Sequence, residues 1–514
     1  MRLSFMITTF TKVIYPDLVL QSLAALDEGR VLRRLVCHIA LIEGLKFIAV
    51  FPQTFDVEAV IDGLCPASLQ FFATVSARAW TQHFFENGVA DYWAPKFLHT
   101  SPFGYDNHSP LPSDAPLDSI LCSNGGGKDS FLVMKTFDRA GTKYGVFEHA
   151  RSEYGRLDYQ HQVQGKLFKH LTHLQRIHHL SVIDDFTDGV MMSVLNPDLR
   201  GESILGRPCQ VGWPEMVIES LPFMLVHKYS SFVLGNERSA DSSQAQWSEL
   251  DGDRSINHQW LKSFEACNAL QTFLSQHLLN GCRVFSLLKP IHDYRIYRDL
   301  TPYPHILPDI HSCNITKPWC KKCPKCAYVF ANLVAVFGYD RLHAVFQCNL
   351  FDDEDLRETW MDLMGLSAHG RQAWECVGEH DETRLAVKRA AEMGCQGLAI
   401  KMFTDAFVLD DDEGECGFEF EERSSSDAHV MISVSDSGES VIGARTSTEK
   451  TSNRFRSSIA RTDITGAGSS STSSAAGKRK QRVDWRKIVE RFDRVYEDNH
   501  GIPDDVFSRV KALL

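Results

Sequence analysis

The sequence predicts an α/β protein: a parallel sheet flanked by helices, with an N-terminal domain before it, a cysteine knuckle set into it and a disordered tail after it. Two observations carry this reading. From residue 118 onward short apolar runs alternate with longer amphipathic stretches, the pattern of β-α-β units. The first of these runs opens directly onto three consecutive glycines in "CSNGGGKDS", residues 122–130. A chain of 514 residues, 43% apolar and 23% charged, has the composition of a globular protein with room for two or three domains.

Taken in order, residues 1–116 mix helical pattern ("DVEAVIDGL", "ASLQFFATVSARAWTQHFF") with a Pro- and Ser-rich connector, "HTSPFGYDNHSPLPSDAPLD", which marks the first boundary. A strand is expected at "SILCS", a helix at "SFLVMKTFDRAG" and a second strand at "KYGVFEH". The alternation continues with a helix near "LDYQHQVQGKLFKHLTHL" and a strand near "HHLSVIDDF", then a helix near "PEMVIESLPFMLVHKY" and a strand at "SSFVLG". This core spans residues 117–345 and includes the knuckle at 311–330. Residues 346–408 form a substrate or lid segment around the helical "ETRLAVKRAAEMG". Residues 409–482 turn acidic and then Ser/Thr/Gly-rich, too poor in apolar side chains to offset the entropy of ordering, and are expected to be disordered. In residues 483–514, "VDWRKIVERFDRVYEDNHG" repeats apolar residues at helical spacing, so a helix can dock a face made of Trp485, Ile488, Val489, Phe492 and Val495.

Charge and composition exclude some functions. A formal net charge of −12 does not suit a protein held to nucleic acid by a broad basic surface. No apolar run reaches the roughly 20 residues of a membrane span; the longest candidate, "AYVFANLVAVFGY", reads as a buried helix. The N-terminus lacks a convincing secretory signal, which gives a cytoplasmic expectation. "KRKQR", beginning at Lys478, reads either as a solvated linker or as a nuclear address.

Glycines after a strand let the backbone approach phosphate oxygens, and the helix that follows presents its positive end to the same anion. Lys128 adds a cation, Ser130 a hydroxyl, and Asp129 a carboxylate for magnesium or a magnesium-bound water. The stretch has neither the Walker spacing nor the dinucleotide fingerprint. A second polar run, "VLGNERSAD", places Gly235, Asn236, Glu237 and Arg238 just after another strand, where open parallel sheets bind ligands. Fourteen cysteines are too few for a disulfide scaffold in a chain of this length. Four of them, Cys313, Cys320, Cys323 and Cys326, follow the spacing C-x6-C-x2-C-x2-C, which suits one structural tetrahedral zinc.

The glycine stretch resembles the PP-loop of ATP pyrophosphatases, a Rossmann-like fold, with Gly125 where that family usually has serine. The resemblance implies that Ser123, Gly125, Gly126, Gly127, Lys128, Asp129 and Ser130, with Gly235, Asn236, Glu237 and Arg238, bind ATP and Mg2+. It also implies that AMP is transferred to a substrate oxygen with release of pyrophosphate. The order "NGGGKDS", "GNERSAD", "WCKKCPKCAYVF", "HGRQAWECVG" resembles the ATP-dependent UDP-N-acetylmuramoyl-L-alanyl-L-glutamate epimerases, most specifically in its last two segments. That resemblance implies a small nucleotide-linked peptide carboxylate as substrate: its terminal glutamate is adenylated and its α-carbon inverted. Lys128 and Asp129 are the expected catalytic groups at the nucleotide. Cys376 and His369 are candidates for the α-proton base, with Glu375 and Glu379 nearby. The alternatives are a PP-loop ligase or nucleobase-modifying enzyme similar to 7-cyano-7-deazaguanine synthases, which carry a similar cysteine pattern, and a degenerate nucleotide-binding scaffold. The N-terminal cysteine nucleophile of glutaminase-fed ligases is missing, because residue 2 is Arg2.

Overall fold

Parallel pairing requires each strand to bury side chains on both faces. In the computed structural model, which describes residues 9–186, 212–247, 254–409 and 480–514, the strands at 120–124, 144–151, 231–234 and 283–286 meet this requirement. The strands are β1 (Thr11–Ile14), β2 (Thr54–Asp56), β3 (Lys96–Leu98), β4 (Ile120–Asn124), β5 (Tyr144–Arg151), β6 (Leu174–Asp184), β7 (Ser231–Leu234), β8 (Ala245–Trp247), β9 (Arg254–Ile256) and β10 (Arg283–Ser286). Six of them form one sheet in the order β1-β6-β5-β4-β7-β10; β2 pairs with β3, and β8 with β9, in two small sheets.

Along the strands, alternate side chains serve two cores. Cys122, Val146, Val233 and Phe285 face one core, together with the helices Lys128–Arg139, Asp293–Asp299, Pro324–Phe337 and His380–Glu392. Leu121, Phe147, Phe232 and Val284 face the other, with the helices Arg30–Gly44, Pro66–Ala79, Trp213–His227 and Phe264–Phe273. The apolar run at 327–339 falls on the helix Pro324–Phe337, which is buried almost all round. Among the described residues no helix is long and apolar enough to cross a membrane.

The chain runs outward from β4 through β5 to β6, then returns to the other side of β4 for β7 and β10. The connections after β4 and β7 therefore leave in opposite directions and open a crevice at the carboxyl ends of these two central strands. Both motifs singled out in the sequence, the glycine stretch and "GNERSAD", begin there.

The architecture departs from the sequence reading in three places. The sheet is parallel-dominated rather than wholly parallel, because β1 joins its edge antiparallel to β6, with Thr11 opposite Asp184. Residues 11–14 thus belong to the central sheet, a pairing no four-residue run announces by itself. Strand β10 was not anticipated, since "RVFS" is brief and begins with a charged residue. The disorder expected over 409–482 falls mostly on residues 410–479, which lie outside the described ones. At its two ends the backbone is fixed: the Gln481 N–H donates to the Ala406 carbonyl at 2.8 Å, and the Val408 N–H to the Gln481 carbonyl at 3.0 Å.

The described residues up to 409 and from 481 onward form one compact unit. The helix Trp485–Asp493 docks Trp485 and Phe492 fully, with Ile488, Val489 and Val495 packed partly against the same core, as its spacing requires.

Candidate functional site

The three glycines have different reasons to be glycine. Gly126 lies in the left-handed region at φ 75°, and a Cβ there would fall 2.1 Å from the His311 ring. Gly127 is the N-cap of the helix Lys128–Arg139, and a Cβ on it would come 3.2 Å from the His311 carbonyl oxygen and from Ser312 Oγ. At Gly125 a Cβ would meet only Ser130 Oγ, at 3.9 Å. The loop is braced from within: the Gly126 N–H donates to Asn124 Oδ1 at 2.9 Å, and the Gly125 N–H to Ser130 Oγ at 3.0 Å. The Ser130 hydroxyl therefore shapes the loop, and the helix's first turn, whose N–H groups lack intrahelical acceptors, is the donor face for an anion. Ser123, on β4, is half-buried beside this loop. Gly235 brings the second loop against the first, since a Cβ there would lie 3.2 Å from Asp129 Cβ.

Lys128 is almost wholly buried. Its Nζ lies 2.5 Å from both Asp129 Oδ1 and Asp293 Oδ1, and 4.8 Å from the centre of the Tyr297 ring. Burial alone would lower its pKa, yet the charges of Asp129, Asp293 and Glu237 raise it above the ordinary lysine value. Glu237 is the converse case. Burial pushes its pKa up, but Lys262, Lys128 and Lys325 outweigh that and hold it at about 2. Lys289 Nζ fixes the same loop from beneath, donating to the carbonyls of Glu237 at 2.7 Å and Lys262 at 3.0 Å. Asn236 is buried, and its carbonyl accepts from Ser286 Oγ at 2.7 Å.

Arg238 points elsewhere. Its guanidinium stacks on Tyr496 at 3.8 Å and reaches Asp498, so its visible partners are in the C-terminal segment rather than the glycine loop. It lines a separate cleft of about 600 Å³ together with Trp260, His292 and Arg491.

The two candidate bases also part company. Cys376 is held in place by its neighbours: its carbonyl accepts from Lys325 Nζ, its N–H donates to Glu375 Oε1 at 2.7 Å, and that same oxygen accepts from Asn314 Nδ2 at 2.7 Å. Burial works to raise the pKa of its thiol, but Lys262, the hydrogen bond with His258 and Lys325 bring it below the ordinary thiol value. His258 shifts the other way: burial opposes its charge, and Cys376 raises its pKa above the ordinary value. Ligand atoms of His258, Glu375 and Cys376 lie within 4.8 Å of one another. His369, by contrast, is substantially exposed, its Nε2 3.0 Å from Asp362 Oδ1. Glu379 caps the helix His380–Glu392 and accepts from Arg491 at 2.6 Å.

The groups that sequence reasoning missed are Lys262, Lys289, Asp293, Lys325, His258 and His311. None of these adjoins the glycine signature, and each is an ordinary polar residue in its own segment. Lys289 and Asp293 follow β10 in "LLKPIHD", so recognising that strand would have placed them at the same sheet end.

The four cysteines named from their spacing converge. Sγ separations are 3.9 Å for Cys313–Cys323 and 3.8 Å for Cys320–Cys326, too long for disulfides. Four thiolates at tetrahedral Zn–S distances would be about 3.8 Å apart along each edge. Backbone N–H groups of Ile315 and Cys320 approach Cys313 Sγ at 3.3 and 3.4 Å, and that of Cys326 approaches Cys323 Sγ at 3.4 Å, the donors that thiolates ligating a metal would use. The donor set can hold a metal ion, and Lys325 of the candidate site lies within it, between Cys323 and Cys326.

Comparison with known proteins finds similarity in two parts of the chain. Residues 217–287 match the family described as the MurL N-terminal domain, and residues 309–399 the MurL C-terminal domain. The two matches together cover β7, β10, the cysteine knuckle and the Cys376 segment. A UDP-N-acetyl-alpha-D-muramoyl-L-alanyl-L-glutamate epimerase from Micromonospora sp. is 30% identical over 178 residues, 33% of this chain and 38% of that protein. Proteins of the same name from Salinispora tropica (32% over 167 residues, 31% and 35%) and Xanthomonas oryzae pv. oryzae (30% over 172 residues, 32% and 37%) are similar to it as well. The matched part of the chain thus spans less than two fifths of the length of each of these relatives.

Proposed function

The chain belongs to the MurL family, and on that premise we propose that it is an ATP-dependent epimerase of a nucleotide-linked peptide, inverting the terminal L-glutamate of UDP-MurNAc-L-Ala-L-Glu. The observation that carries the reading is that the glycine loop, Glu237 and the Cys376–His258 pair share one set of buried and half-buried lysines, so a nucleotide site and a candidate proton-transfer pair are electrostatically one site.

The chemistry orders the roles. A free carboxylate resists loss of its α-proton because a second negative charge would form beside the first. Transfer of AMP from ATP to the glutamate α-carboxylate, with release of pyrophosphate, removes that obstacle. The first turn of Lys128–Arg139 and Lys128 hold the phosphates, and Asp129 and Glu237 are the carboxylates near enough to carry Mg2+, which would spread the charge of the departing pyrophosphate. The Cys376 thiolate, kept ionised by Lys262 and Lys325, takes the α-proton. The carbanion is delocalised onto the adenylate carbonyl, and return of a proton to the opposite face inverts the centre. Water then cleaves the acyl-adenylate, giving the epimerised carboxylate and AMP, so ATP and water become AMP and pyrophosphate overall. The four cysteines would hold a structural zinc that fixes the segment carrying Lys325.

The test is an incubation of the full chain with ATP, Mg2+ and UDP-MurNAc-L-Ala-L-Glu in deuterated water. The expected product carries deuterium at the glutamate α-carbon with inverted configuration, alongside AMP and pyrophosphate. An amide or nitrile product, or exchange without ATP, overturns the reading.

A further inference from the structure

A second cluster of ligating side chains stands apart from the cysteines. Glu148 on β5 lies opposite His179 on β6, and opposite Asn124 at the end of β4 on its other side, so the three form one row across the sheet. His161, from the helix Leu157–Gln164, covers the row, its ring stacked on His179 with centroids 4.5 Å apart and planes 14° from parallel. The Glu148 carboxylate is completely buried. One oxygen, Oε1, accepts from Asn124 Nδ2 at 2.8 Å. The other, Oε2, receives no well-aligned hydrogen bond, although His179 Nε2 is 3.0 Å away and His161 Nδ1 3.8 Å away. Among the described residues no lysine or arginine pairs with Glu148.

We propose that Glu148, His161 and His179 form a second metal site, for a divalent first-row transition ion bound by two imidazole nitrogens and one carboxylate oxygen. Close approach without hydrogen-bond alignment is the arrangement expected when lone pairs point at a common centre rather than at one another. The supporting contacts fit as well. His161 Nε2 lies 3.1 Å from Ser181 Oγ, where the ring proton can reside, while Nδ1 lies 3.3 Å from Gln164 Oε1, a contact that metal binding at Nδ1 would replace. Asn124 holds the non-ligating carboxylate oxygen, as outer partners of metal ligands do. Two imidazoles select against Mg2+, which prefers oxygen donors, and in favour of Mn2+, Fe2+, Co2+ or Zn2+. Three protein ligands leave coordination positions for water or an anionic group. Because Asn124 also accepts the Gly126 N–H, the ion would sit one side chain away from the glycine loop. The inference does not depend on the epimerase reading, since it concerns binding alone.

The test is titration of the full chain with Mn2+, without ATP, followed by electron paramagnetic resonance, since Mn2+ has little affinity for the thiolate set. One saturable Mn2+ per chain is expected. His179→Ala, on the accessible side of the cluster, should weaken it at least about tenfold, and Glu148→Gln and His161→Ala should do the same while thermal unfolding remains cooperative. Zinc content after reconstitution is the second measurement, expected to fall from two per chain to one in His161→Ala/His179→Ala, with the cysteine-bound ion retained. No saturable Mn2+ in the wild type, affinity unchanged in His179→Ala, or equal zinc content in the double variant overturns the proposal.

Discussion

The protein buries two charge networks at the carboxyl ends of its strands, and they are built on opposite principles. Around Lys128, cations and carboxylates interleave: Lys128, Lys262, Lys289 and Lys325 face Asp129, Glu237 and Asp293, and Glu237 stays ionised at a pKa of about 2. Around Arg151 at the end of β5, carboxylates crowd one guanidinium. Glu43 lies 2.9 Å away and Glu153 3.3 Å away, Glu215 is in contact, and Glu219 stands 2.8 Å from His149. There burial first, and then the neighbouring Glu219, push Glu43 up to about 8 against the pull of Arg151; burial takes Glu219 to about 6. Matched charge keeps groups ionised without water, which anion binding and proton abstraction both need, whereas surplus carboxylates keep protons. The first network also opens to the surface through the exposed Gly125.

The largest expected effect breaks the matched network. Asp129→Asn, at a partly exposed carboxylate, should lower pyrophosphate release about 100-fold or more with the melting temperature nearly unchanged. Lys128→Ala should lose activity and also destabilise the fold by about 3 kcal/mol, because Asp293 would be left buried without its partner. Activity assays paired with thermal melts separate the two outcomes, and equal stability of both variants would show that the Lys128–Asp293 pair is not the buried contact described.

The knuckle supports one side of the comparison only. Chelation of a metal held by the four cysteines, or Cys320→Ser, should cost several kcal/mol and loosen the segment from Cys313 through the helix Pro324–Phe337, leaving the Arg151 network in place. Hydrogen exchange after metal removal measures this, with faster exchange expected at 313–330 and little change along β5.

These predictions also mark what the sequence made legible. Backbone-determined features were readable: the glycines after β4, the cysteine spacing, the periodicity of Lys128–Arg139 and of Trp485–Asp493 all act locally, within a turn or two. The partners that give the site its electrostatics come from segments distant in sequence. Lys262 and His258 follow β9, Asp293 follows the unforeseen β10, and Lys325 lies inside the knuckle, each unremarkable where it stands. Arg238 and His369 show the reverse: both sit in motif-rich stretches, and their side chains meet Tyr496 and Asp362 respectively. Motif membership fixes a position along the chain, whereas side-chain direction depends on packing from elsewhere.

A smaller effect sharpens the comparison through pH. Lys262 is the main charge lowering the Cys376 pKa, so Lys262→Ala should raise that pKa and move the rise of α-hydrogen exchange with pH to higher pH, slowing exchange several-fold at neutrality. The pH profile of deuterium uptake checks it, and an unmoved profile would remove Cys376 from the base role. At the other network the sign is opposite. Glu43 has a folded-state pKa of about 8 against an ordinary 4.5, so its contribution to stability is complete below 4.5 and is lost as pH rises through 8. Glu43→Gln should therefore gain about 1 kcal/mol or more relative to wild type between pH 6 and 9, read from melting curves across that range.

The smallest effect lies inside the glycine loop, and it decides whether the departure at position 125 matters. Ser at 125 meets only the distant Ser130 Oγ, and the backbone there is not left-handed, so Gly125→Ser should change stability by less than about 0.5 kcal/mol. Gly126→Ala next to it must resolve a Cβ placed 2.1 Å from the His311 ring at a φ of 75°, which should cost about 2 kcal/mol or more. If position 125 contacts phosphate, the serine hydroxyl adds a donor and ATP affinity rises a few-fold with unchanged melting. Unchanged affinity would mean that the loop binds through the backbone of the helix's first turn alone, with Ser130 Oγ already occupied in holding the Gly125 N–H.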